Sequence, residues 1–214
     1  MNQVVQDKMQ REIMAVRNDI LFARIKRETK VYSREEIDFE NIIEKNYEFL
    51  TRWPLETNFE YKQPIPYGIV LNNQNKIFVY KRWGAWSNAW ESRLHNKIAI
   101  GVGGHIERED EASSSLLRDA LVREVEEEIG IKESDIAEIF PIWYVNYEED
   151  EVNQVHLWIG YIIKISGWNI SMTDGELAKG DFKTISELKD MISSGDFDVE
   201  FWTQMLTPFV EKYL

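Results

Sequence analysis

The chain has no cysteine anywhere in its 214 residues. Disulfide staples and thiolate metal sites are excluded, and a reducing compartment, the cytoplasm, is the natural expectation. Histidine is scarce, at three residues, so a zinc centre has few ligands to draw on. No apolar run reaches the roughly 18–20 residues that span a bilayer. The opening stretch from Met1 to Lys8 lacks the charged-then-apolar order of a signal peptide, and no membrane partner is expected. Positive charge is in deficit: 25 Lys and Arg stand against 38 Asp and Glu, a net charge of −13. A chain so acidic is repelled by phosphate backbones, so no nucleic-acid partner is expected. It can still hold a small phosphorylated molecule, provided a metal ion or a few placed cations reverse the local sign.

What is present is enough for a core: 43% of residues are hydrophobic and 13% aromatic. The length suits one domain with an extension. Residues 1–28 carry Ile13, Val16, Ile20 and Phe22 or Ile25 at helical spacing, and 39–52 repeat the pattern with Phe39, Ile42, Ile43, Tyr47, Phe49 and Leu50 up to Trp53-Pro54. The expectation is a helical N-terminal extension over 1–59, followed by a domain over 60–214. From Gln63-Pro64-Ile65-Pro66 the texture changes. Strands are expected at Tyr67–Leu71, Lys76–Arg82, Lys97–Val102, Ala137–Tyr147 and His156–Ile165, and helices at Ser115–Ile129, Ile185–Ser194 and Val199–Lys212. This mixture predicts an α/β fold, a mixed sheet covered by helices.

On the helix 115–129, Glu124, Glu127 and Glu128 stand at i, i+3 and i+4 and share one face. A glutamate run alone is the composition of an ordinary solvated helix face. Three like charges at that spacing repel, however, and a shared divalent cation removes the repulsion; Mg²⁺ prefers such hard oxygens. Gly130 is the expected helix stop, and Gly103-Gly104 upstream permits a tight bend.

Gly-Gly after a strand, then a helix ending Arg123-Glu124-Val125-Glu126-Glu127-Glu128-Ile129-Gly130-Ile131, resembles the Nudix box. The second half of the box is matched in full. The first half is longer: 18 residues separate Gly104 from Arg123, where the family has 13, which places an insertion of five in the loop Glu107–Ser114. The first box glutamate then has several candidates, Glu107, Glu109, Asp110 and Glu111, and the sequence leaves the choice open. The stretch from Gln63-Pro64-Ile65-Pro66-Tyr67 to Gly104-His105-Ile106 is similar to a bacterial Nudix subgroup described as predicted phosphoesterases.

The resemblance implies a Nudix α/β/α sandwich and a Mg²⁺- or Mn²⁺-dependent hydrolase acting on a small diphosphate, typically a nucleoside diphosphate derivative. It implies Glu127 and Glu128 as metal ligands. Glu124 becomes a further ligand and the base that activates water, and Arg123 orients it through a bidentate pair. The Gly103 carbonyl would join the metal shell. An acidic ligand from a later loop is also implied, with Glu176 the best-spaced candidate and Glu149 and Glu151 as competitors. For substrate contacts, the cation- and tryptophan-rich stretch 81–93 offers Arg82, Arg93 and Trp86, and His105 follows the Gly-Gly bend. The same tryptophans could equally cover a sheet or an interface. Two rivals remain. One is a Nudix-fold binding or regulatory module without catalysis, which would ordinarily lose box carboxylates. The other is an isoprenoid diphosphate isomerase, whose best-known form needs a cysteine. A homodimer built on the N-terminal segment is a further expectation.

Overall fold

The computed structural model describes residues 3–82, 96–112, 115–167, 170 and 177–214. The N-terminal part runs through helix α1 (Gln3–Gln10), strand β1 (Glu12–Arg17), α2 (Asn18–Leu21), β2 (Lys30–Ser33), α3 (Phe39–Asn46), β3 (Glu48–Thr51) and α4 (Arg52–Leu55). Strands β4 (Tyr61–Leu71), β5 (Ile77–Arg82), β6 (Ile98–Ala99) and β7 (Gly101–Gly103) precede helix α5 (Leu116–Ile129). The remainder is β8 (Ile136–Asn146), β9 (His156–Ile165), β10 (Leu177–Lys183), α6 (Ile185–Ser194) and α7 (Phe201–Val210). The chain divides into two compact units. The first is Met1–Tyr67, Gly103–Arg123 and Pro141–Tyr161; the second is Gly68–Val102, Glu124–Phe140 and Ile162–Leu214.

In the first unit the N-terminal segment is strand as well as helix, which corrects the expectation of a purely helical extension. Ile13, Met14, Ala15 and Val16 are all buried. A helix could bury only one stripe of them, whereas a strand with neighbours on both sides buries all four. β1 pairs antiparallel with β3 in the register Glu12↔Thr51 to Ala15↔Glu48, then with β4 at Val16↔Lys62 and Arg17↔Tyr61. The helix expected over 39–52 ends at Asn46 for the same reason, since Glu48–Thr51 pairs with β1. Asp38 caps α3, its carboxylate accepting from the Asn41 amide at 3.1 Å.

Residues 1–59 are bound into this unit by polar ties too. β2 pairs with β8 from Lys30↔Asn146 to Ser33↔Trp143. Glu40 of α3 accepts from the Tyr161 hydroxyl at 2.8 Å and the Tyr144 hydroxyl at 3.2 Å. Glu148 is gripped by Arg27, Nη2–Oε2 2.7 Å, and by Lys62, Nζ–Oε1 2.8 Å. The Lys62 side chain is fully buried, and burial draws its ammonium down to about pKa 8.

In the second unit β5 is the central strand. It pairs antiparallel with β10 from Lys183↔Ile77 to Leu177↔Arg82, with β6 at Tyr80↔Ala99, and with β4 at Leu71↔Ile77. Ile69, Val70, Leu71, Ile77, Phe78 and Tyr80 are buried here. Helix α6 opens with a capping box, Thr184 and Glu187 each bonding the other's backbone amide, and stops at Gly195 with φ +74°. Among the described residues no helix is long and apolar enough to cross a membrane.

Candidate active site

The turn after β7 is built around a glycine that nothing else can replace. A Cβ on Gly103 would stand 2.0 Å from the Pro66 carbonyl oxygen of β4, far inside contact distance. Beyond it, Ile106 is buried and its carbonyl accepts from the Met14 amide at 2.8 Å. The loop expected at 107–114 contains a 3₁₀ turn, Arg108–Ala112. The turn closes on itself: the Asp110 amide donates to the Glu107 carbonyl at 3.0 Å, and the Asp110 carboxylate accepts from the Glu107 amide at 2.9 Å.

This turn discriminates among the acidic candidates. Glu107 is paired with Arg11 at 2.6 Å, Glu111 with Arg108 at 3.3 Å, and Glu109 is exposed. Asp110 alone reaches the box arginine in a described contact. Arg123 Nε lies 3.0 Å from Asp110 Oδ1 and Nη2 lies 3.0 Å from Oδ2, the two-point geometry of a guanidinium fork on a carboxylate. Arg123 Nη2 also donates to the His105 carbonyl at 3.1 Å. The family resemblance implies a two-point pair of Arg123 with Glu124; the structure makes one such pair with Asp110.

Helix α5 continues past Arg123 into the second unit. Val125 and Ile129 are buried, Glu124 and Glu128 are half-buried, and Glu126 and Glu127 are exposed. Gly130 ends the helix at φ +68°. Glu124, Glu127 and Glu128 each have interactions of their own. Among the described residues no group of three or more His, Asp or Glu side chains is gathered as a ready metal cage. Like charges on one helix face separate onto other partners unless a cation draws them together. The donor chemistry itself fits: three carboxylates on one face offer the hard oxygens that Mg²⁺ and Mn²⁺ prefer.

His105 is placed by its neighbours. Its Nε2 is 2.7 Å from Oε1 of the fully buried Gln63, and its ring meets that of His156 edge-on at 5.4 Å. Burial holds the His105 ring well below the ordinary histidine pKa and His156 down to about 4, so both are neutral near pH 7. In the second unit, Arg82 lies against Glu200, Nε–Oε1 2.5 Å, and over the Tyr80 ring. The side chain of Glu200 is only 2% exposed, so part of the Arg82 charge offsets a buried carboxylate. Gly103 falls in the first unit and the three box glutamates in the second. Trp86, Arg93 and Glu176 lie outside the described residues.

Residues 61–200 match the NUDIX domain family. The chain belongs to the Nudix hydrolase family. It is also 33% identical, over 173 residues, to Protein YmaB of Bacillus subtilis (strain 168), a match that covers 79% of this chain and 81% of that one. Its fold is similar to the crystal structure of Tm1382, a proposed Nudix hydrolase, with a TM-score of 0.71, 19% identity, and 95% of this chain and 99% of the other covered. The NUDIX domain of Shewanella oneidensis NrtR, crystallised with ADP ribose, is similar at a TM-score of 0.53 and 10% identity, over 71% of this chain and 88% of that one. These likenesses show the Nudix fold, the α/β arrangement with a mixed sheet that the sequence predicts. Sequence reasoning did not single out Gln63 or Glu200. A glutamine among the apolar residues of a buried strand was the available signal for the first; Glu200 carries none that is local.

Proposed function

We propose that this Nudix protein hydrolyses a diphosphate linkage in a nucleoside diphosphate derivative or a related small phosphorylated metabolite, with Mg²⁺ or Mn²⁺ bound. The observation that supports this best is the second half of the box, complete on α5. Its three glutamates follow an arginine held at two points by Asp110, so an acidic partner for the arginine survives the five-residue insertion.

Glu124, Glu127 and Glu128 would hold the metal. When bound, the metal lowers the pKa of a water and offsets the charge that builds on the diphosphate. Glu124, half-buried, is the base proposed to take the proton of the attacking water. Arg123, fixed by Asp110, holds the start of the catalytic turn of the helix. At a net charge of −13, a dianionic substrate is repelled until metal ions or placed cations reverse the local field. Arg82, Arg93, Trp86 and His105 remain proposed substrate contacts and Glu176 a proposed late ligand.

The NrtR domain holds ADP ribose, a nucleoside diphosphate joined to a second group, so ligands of that class belong in the test. The test follows product release from a panel of nucleoside diphosphate derivatives with Mg²⁺ or Mn²⁺, for the natural chain and a Glu127→Gln/Glu128→Gln variant. Turnover that requires metal and disappears in the variant is the expected result. The rival reading, a ligand-binding module without catalysis, draws on the lack of a gathered carboxylate cage among the described residues. Ligand binding by calorimetry with no turnover, unchanged in the variant, would decide for it.

A further inference from the structure

We propose that Gln63 and His105 form a positioning pair that sets the Arg123 guanidinium, and through it the box helix, from outside the Nudix box. The inference rests on the hydrolase reading and adds two residues to its machinery.

Gln63 is an odd choice for its place. It lies on β4 between Lys62 and Pro64, and its side chain is fully buried. Its Nε2 has no hydrogen-bond partner in the structure. A leucine there would bury no polar atom, so packing alone does not account for the amide. The contact it does make is with the His105 ring, Oε1 to Nε2 at 2.7 Å. An amide oxygen only accepts, so His105 donates from Nε2 and its tautomer is fixed.

The ring bond matters because of what the same residue does with its backbone. The His105 carbonyl accepts from Arg123 Nη2 at 3.1 Å. Fixing the ring restricts rotation of the residue and aims that carbonyl. Two residues earlier, Gly103 is packed against the Pro66 carbonyl so closely that no Cβ fits. β4 therefore controls the turn twice, through Pro66 and through Gln63. His156, buried and edge-on at 5.4 Å, forms the far wall of the ring's space.

Arg123 is thereby held by Asp110 on one side and by the Gln63-aimed carbonyl on the other. It immediately precedes Glu124 in α5. Outer-shell partners of this kind change metal affinity or activity by roughly ten- to a hundredfold when removed.

The test uses the full chain labelled with ¹⁵N. The Arg123 Nε–H signal is followed for its exchange with water, with no metal or substrate present. In Gln63→Leu the exchange is expected to quicken about tenfold or more. Mn²⁺ affinity and kcat on ADP ribose should fall by roughly ten- to a hundredfold with KM nearly unchanged. Gln63→Glu keeps an acceptor oxygen and should restore slow exchange, which a merely structural role for the side chain would not produce. His105→Asn repeats the exchange measurement should Gln63→Leu fail to fold. A folded Gln63→Leu or His105→Asn protein with Arg123 exchange and Mn²⁺ affinity both unchanged overturns the proposal. The exchange reading needs no turnover. A chain inert toward every nucleotide thus defeats the hydrolase reading, and the positioning pair is judged separately.

Discussion

The Asp110 carboxylate and the Arg123 guanidinium lie side by side, Nε–Oδ1 and Nη2–Oδ2 both 3.0 Å, across an insertion that lengthens the Nudix box. The 3₁₀ turn Arg108–Ala112 carries Asp110 to this contact.

That pair should behave as a unit. Asp110→Ala and Arg123→Ala, made singly and together, are expected to show a coupling of roughly 1–3 kcal/mol in denaturant unfolding. Arg123→Lys should recover little, because an ammonium cannot make both bonds. Glu109→Gln and Glu111→Gln should stay within about 0.5 kcal/mol of the natural chain. A strong effect at either of these and none at Asp110 would contradict the assignment.

At Gly103 the smallest possible addition should be severe. The nearest atom to a new Cβ is a backbone oxygen at 2.0 Å, which cannot swing aside as a side chain would. Gly103→Ala is expected to cost about 3 kcal/mol, at the upper end of overpacking effects. A melting temperature within a degree or two of the natural chain's would show that the turn is looser than its geometry.

The Lys62–Glu148–Arg27 group should respond asymmetrically. Glu148→Gln strands a fully buried ammonium and should cost about 3 kcal/mol. Lys62→Met leaves Glu148 its Arg27 partner at 2.7 Å, so the loss should stay within about 1 kcal/mol. Equal losses in urea titrations would show that Lys62 is not held by Glu148.

His156 should make the fold sensitive to acid. Its pKa is depressed in the folded chain, to about 4, because burial disfavours the charged ring. The unfolded chain, with a histidine near 6.5, then takes up the proton first. Stability is therefore fully present above pH 6.5 and is lost as the pH falls toward 4, by on the order of 3 kcal/mol for this residue. His156→Gln should flatten that part of the profile relative to the natural chain. Parallel profiles for the two proteins between pH 7 and 4.5 would refute it.

Local chemistry determined what the sequence could reveal. The box helix and its Gly130 stop, the strand His156–Ile165 and the helix Ile185–Ser194 are each set by neighbours a few residues away: a charge spacing, an apolar run, a capping box, a glycine in the left-handed region. The glutamates on α5 could be placed on one face because helical geometry alone relates positions three and four apart. The tertiary structure decided the rest. Ile13–Val16 has helical spacing but becomes strand, because β3 and β4 offer hydrogen bonds that no sequence window contains. Asp110 was one of four acidic residues of equal standing until a turn aimed it at Arg123, 13 positions later. Gln63 acquires its meaning 42 positions away, at His105. Such contacts depend on where the chain returns in space, and residue type alone does not encode that.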